Sequence, residues 1–118
     1  MTLFEKYGGF ATVSKIVRQF YRDVLTSPTL KSYFIEVDME RLIDHQTKFI
    51  SHALGGPAEY TGRALEMSHR GLNISVAHFN EVAEILQESL EDAGMEDEDI
   101  ETVMGIVSST QSSIVERD

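Results

Sequence analysis

The 118-residue chain contains no cysteine, which excludes disulfides, thiolate catalysis and cysteine-rich zinc sites and leaves the redox character of its compartment open. It has only two prolines, which excludes collagen-like and proline-rich classes. Cations are scarce: 10 Lys and Arg stand against 20 Asp and Glu, a formal net charge of −10. A duplex or an anionic membrane repels such a surface on average, so neither nucleic acid nor a membrane is expected as a partner. No apolar run approaches a membrane span, and the opening Met1-Thr2-Leu3-Phe4-Glu5-Lys6 has no signal-peptide character. A soluble, cytoplasmic protein is the expectation. A His-Glu-x-x-His zinc motif, a phosphate-binding P-loop, a dinucleotide fingerprint and a nucleophile elbow are all missing as well.

What is present is helical periodicity. The length argues for one domain, 1–118, able to bury about two-thirds of its extended-chain surface. Between Phe10 and Leu25, the apolar residues Val13, Ile16, Val17, Phe20, Tyr21 and Val24 recur at three- and four-residue spacings, with Lys15, Arg18, Gln19 and Arg22 opposite them. Gly8-Gly9 separates this helix from a short segment at 3–6, and Ser27-Pro28 ends it. A short piece carrying Leu30, Tyr33 and Phe34 follows. Asp38 suits the N-cap of a helix from Met39 to Leu54, whose inward stripe is Leu42, Gln46, Phe49, Ile50 and Ala53. Gly55-Gly56-Pro57 ends that helix; a loop, a short helix near Ala64 and a break at Gly71 and Asn73 are expected next. Ser75 suits the cap of a helix from Val76 to Ala93, facing inward with Phe79, Val82, Ala83, Leu86 and Leu90. Gly94 ends it, and a last helix spans Asp97 to Glu116. The chain reads as all-α.

The acidic residues from Glu88 to Glu101 read as a solvated corner between helices, because like charges at that density favour water. Four histidines, His45, His52, His69 and His78, are the candidates for metal or acid–base work. His45 and His52 lie nearly two turns apart, too far for a simple zinc clip. The sharper signal is polar: Tyr21 and Gln46 interrupt apolar helix faces, and a buried hydroxyl or amide is costly unless it has a partner.

Several stretches carry a family resemblance: Leu-Phe-Glu-Lys-Tyr-Gly-Gly at 3–9, Phe-Tyr-Arg-Asp-Val-Leu at 20–25, Tyr-Phe at 33–34 and His-Gln at 45–46. Others are Ala-Leu-Gly-Gly-Pro at 53–57, Tyr-Thr-Gly-Arg at 60–63, Ser-His-Arg-Gly-Leu-Asn-Ile at 68–74 and the segment from His78 to Val82. In this order and spacing they resemble the truncated haemoglobins, group I, cyanobacterial-like, of the globin superfamily. The resemblance implies a two-over-two helical sandwich around one haem b per chain, and a monomer.

It also implies roles. His69 would be the proximal iron ligand, a role for which neutral imidazole is chemically suited. Leu65, Leu72, Ile74, Phe79 and Val82 would form the apolar wall nearby, with Phe34 packed on the haem plane and Phe49 in the pocket. Tyr21 and Gln46 match the family's distal hydrogen-bonding pair, and Leu42 stands where many globins have a distal histidine. His45 would either bind iron as a sixth ligand or turn toward solvent and a haem propionate. His52 and His78 match no iron ligand and read as surface or structural residues. The last helix has no histidine to bond a haem vinyl group, so non-covalent haem is expected.

The implied function is reversible binding of dioxygen and other diatomic ligands, carbon monoxide and nitric oxide. Nitric oxide detoxification would depend on a separate reductase, since no flavin or nicotinamide site is visible. The alternative is a hexacoordinate, bis-histidyl redox or sensing module.

Overall fold

The computed structural model describes residues 2–57 and 74–116. Helix α1 is Leu3–Lys6, α2 is Gly9–Thr26, a 3₁₀ turn spans Lys31–Phe34, and α3 is Met39–Ala53. Then come α4, Val76–Asp92, α5, Asp97–Ser109, and α6, Gln111–Ile114. There is no β-strand among the described residues. The short helix expected near Ala64 and the break at Gly71 and Asn73 lie outside them.

The helix ends follow from side-chain chemistry. Asp38 accepts the Arg41 backbone N–H at 3.2 Å and Ser75 accepts that of His78 at 3.1 Å, each satisfying a donor left over in a first helical turn. Gly8 enters α2 with φ of 103°, in the left-handed region that a side chain disfavours. Gly56 is required for a different reason: a Cβ there would stand 2.7 Å from the Phe4 ring and 2.9 Å from the Ser51 carbonyl oxygen.

Helix α2 packs on α3 and α4, and α4 packs on α5. With α3 also touching α5, these contacts form the two-over-two sandwich that the family resemblance implies. The inward stripe of α2 is the expected one, with Val13, Ile16, Val17, Phe20, Tyr21 and Val24 all buried. Ile43, Phe49 and Ile50 of α3, Phe79, Leu86 and Leu90 of α4, and Ile100, Val103 and Val107 of α5 complete the core. Arg18 of α2 makes a two-pronged bond to Glu40 of α3 at 3.1 and 3.2 Å, holding that carboxyl below its ordinary range. Among the described residues no helix is long and apolar enough to cross a membrane.

Three expectations change. The last helix is not continuous to Glu116: it breaks at Thr110, whose hydroxyl donates to the Val107 carbonyl at 2.6 Å and competes with the helix ladder. Val82 and Ala83 are half-buried, not core. The acidic corner is not wholly solvated either, because Asp99 is buried. Lys6 bonds it at 2.7 Å and the Tyr7 hydroxyl donates to the same oxygen, fastening α1 to the start of α5. These partners hold the Asp99 carboxyl below its ordinary pKa, Lys6 contributing most.

Candidate ligand cavity

The stripes of α2 and α3 do not close fully on α4 and α5, and a cavity of about 540 Å³ remains among them. Its size falls within the roughly 300–1,000 Å³ typical of small-molecule and cofactor sites. Helix α2 contributes Val17, Phe20, Tyr21 and Val24; the connection to α3 contributes Leu30, Tyr33, Phe34 and Val37. Helix α4 contributes His78, Phe79, Val82 and Leu86, and Ile74, Val107 and Ile114 also line the space.

From α3 come Leu42, His45, Gln46 and Phe49, which at three- and four-residue intervals fall on one stripe. Gln46 is half-buried on this wall, while His45, one residue before it, is exposed and borders the cavity at its edge. Asp38 and Arg41, at the start of the same helix, complete that edge. Tyr21 is buried from the other side, its ring meeting Phe20 edge-on at 4.8 Å and Phe34 at 6.0 Å. Tyr21 and Gln46, from two helices, therefore line one largely apolar chamber, which Tyr33, His78 and the edge residues Asp38, Arg41 and His45 also border.

Most of the residues singled out from the sequence meet here: Tyr21, Phe34, Leu42, His45, Gln46, Phe49, Ile74, Phe79 and Val82 all line the cavity. His69, Leu65 and Leu72 lie outside the described residues. His52, on α3, is exposed and does not line the cavity.

His78 has a larger part than its reading as a surface or structural residue suggests. It is half-buried on the cavity wall, and its Nδ1 lies 2.5 Å from the Tyr33 hydroxyl, the two rings edge-on at 5.5 Å. One turn further on, Glu81 accepts a hydrogen bond from the Ser27 hydroxyl at 2.5 Å. Helix α4 thus clips the α2–α3 connection at two points, its start at Ser27 and its middle at Tyr33. Partners 45 and 54 residues apart leave no periodic trace in a sequence. The nearest hint is that Tyr33 and His78 each precede a cavity phenylalanine, Phe34 and Phe79.

No group of three or more His, Cys, Asp or Glu among the described residues is placed to hold a metal ion directly. The chamber instead suits a flat apolar group with a polar edge. Aromatic and aliphatic walls would hold the body, Arg41 and His45 at the rim suit carboxylates, and Tyr21 and Gln46 supply donors inside. Haem has this character, and the described residues fit it.

Comparison with known proteins agrees. Residues 2–116 match the family model described as bacterial-like globin. The group 1 truncated haemoglobin of Tetrahymena thermophila is 34% identical over 110 residues, 93% of this chain and 91% of that protein. The crystal structure of truncated haemoglobin from Tetrahymena pyriformis, Fe(III) form, superposes with a TM-score of 0.87 at 30% identity, covering 98% of each chain. The 2/2 haemoglobin from Synechococcus sp. PCC 7002, in its cyanomet state with covalently attached haem, superposes with a TM-score of 0.89 at 28% identity, again over 98% of each.

Proposed function

Because this chain belongs to the group 1 truncated haemoglobins, within the bacterial-like globins, we propose that it reversibly binds dioxygen at a haem held in the cavity between α2, α3 and α4. As a globin it binds haem, and haem supplies, when bound, an iron that takes a diatomic gas. The observation that carries the reading is an apolar chamber whose wall includes two hydrogen-bonding side chains, Tyr21 and Gln46.

The chain's own residues do the rest. His69 would hold the iron through a ring nitrogen. The apolar walls exclude water, which strengthens any electrostatic contact made inside. The Tyr21 hydroxyl and the Gln46 carboxamide donate hydrogen bonds toward a ligand carrying partial negative charge, each favouring it by roughly 1.5–3 kcal/mol. Leu42 offers no such bond, so retention of dioxygen falls on Tyr21 and Gln46. Haem b is held non-covalently, since no histidine follows His78 in the chain. Conversion of nitric oxide to nitrate is a secondary activity that draws electrons from a separate reductase.

Absorption spectra of the protein produced with ample haem test the reading. A Soret band that shifts between ferric, ferrous and carbon-monoxide forms is expected, and acidified organic solvent should extract the pigment. His69→Ala should weaken haem retention. A protein without a Soret band would sink the reading.

One residue favours a second state. His45 borders the cavity next to Gln46 in the chain, and its imidazole would supply the iron with a second nitrogen ligand. That state gives a low-spin spectrum in the absence of gas, turning high-spin in His45→Ala. A high-spin wild type would leave His45 to solvent and the haem propionates.

A further inference from the structure

Tyr33 combines three properties that no other described tyrosine shares. It lines the cavity, it is partly exposed to solvent, and its hydroxyl lies 2.5 Å from an imidazole nitrogen, Nδ1 of His78. Tyr21 lines the cavity but is buried, and Tyr7 bonds Asp99 away from it.

The chemistry of a phenol makes this combination informative. A phenol that loses an electron becomes a very strong acid, so its one-electron oxidation is easy only where the proton has somewhere to go at the same moment. A base at hydrogen-bond distance provides that. With the imidazole neutral and its proton on Nε2, the Tyr33 O–H donates to Nδ1, which is the atom that would receive the proton. Ser75 accepts the His78 backbone N–H at 3.1 Å and caps the helix start, which fixes the backbone that carries the ring.

We propose that Tyr33 and His78 form a redox relay between the haem cavity and the surface, which lets the protein reduce hydroperoxides at the expense of small phenolic donors. This rests on the haem reading above. Tyr33 gives one electron toward the cavity while its phenolic proton moves to Nδ1 of His78, leaving a neutral phenoxyl radical and an imidazolium. A phenol AH at the surface then returns an electron to Tyr33, the His78 proton moves back, and AH leaves as the radical A• and a proton. A hydroperoxide ROOH takes two electrons and two protons to become ROH and water. Two turns of the relay therefore balance the reaction: ROOH and two AH give ROH, water and two A•.

The test mixes the haem-loaded protein with hydrogen peroxide, freezes it within milliseconds and records the electron paramagnetic resonance spectrum. Soret absorbance of the same sample gives the bound haem. A tyrosyl signal that changes shape with ring-deuterated tyrosine and disappears in Tyr33→Phe is expected. His78→Gln, which keeps a hydrogen-bonding side chain but not a base, should slow radical formation and oxidation of a simple phenol such as guaiacol about 100-fold. In the unmodified protein, radical formation should be slower in D₂O than in H₂O. A loaded protein with no tyrosyl signal, or with the same signal in Tyr33→Phe, overturns the relay and leaves the gas-binding reading standing. Equal rates in His78→Gln, or in D₂O and H₂O, overturn the coupled proton transfer. Absence of a Soret band overturns both readings together.

Discussion

Gly56 has no room for a methyl group, since its neighbours are the Phe4 ring and a backbone oxygen of α3. Gly56→Ala should therefore cost about 1–3 kcal/mol in urea unfolding, a typical price for forced overpacking. Ser51 offers the opposite case: it is fully buried, and its hydroxyl has no hydrogen-bond partner among the described residues. Ser51→Ala removes a polar atom that gains nothing from burial, so stability should stay level or rise by about 1 kcal/mol; a clear loss would mean that the hydroxyl is in use. At this scale the sequence was legible wherever helical period decides which way a side chain points. Tyr21 and Gln46 stand out as polar residues on apolar stripes, and both line the cavity. The pairing of Tyr33 with His78 is not legible there, because their bond joins two elements that meet only after the chain has folded.

Among the elements, α1 depends on charge. Its short length gives it little helical stability of its own, and the bonds from Lys6 and Tyr7 to Asp99 fasten it to α5. The Asp99 carboxyl has a lowered pKa in the folded chain. Its contribution is therefore present above the ordinary carboxylate pKa of about 3.9 and is lost as pH falls through the folded value. The melting temperature of the unmodified protein should drop on acidification more steeply than that of Asp99→Asn, the curves converging at low pH; parallel curves would remove Asp99 from acid unfolding. Helix α4 depends on its cap, and Ser75→Ala should cost about 1 kcal/mol. Helix boundaries were readable where a cap or a glycine marks them, as at Asp38, Ser75 and Gly94. The break at Thr110 was not, because it is made by hydroxyls bonding back to the preceding turn, at Thr110 and at Ser109.

For the whole molecule, stability and the cavity are linked. The core stripes surround a chamber of about 540 Å³, and a ligand that fills it stabilises the folded state by mass action. The haem-loaded protein should melt well above the haem-free one, by a margin that grows with free haem. The net charge of −10 sits largely apart from this chamber, since none of its lining residues falls between 88 and 101. The all-α class is legible from helix periodicity and the two-over-two arrangement from the resemblance carried by the globin-like stretches, whereas the volume left between the stripes depends on packing that spacing does not determine. If the polar groups on this wall hold a diatomic gas, as proposed, Tyr21→Phe should change the dioxygen dissociation rate of the haem-loaded protein. Loss of one hydrogen bond worth roughly 1.5–3 kcal/mol should speed release about tenfold to a hundredfold, and an unchanged rate would remove Tyr21 from ligand retention.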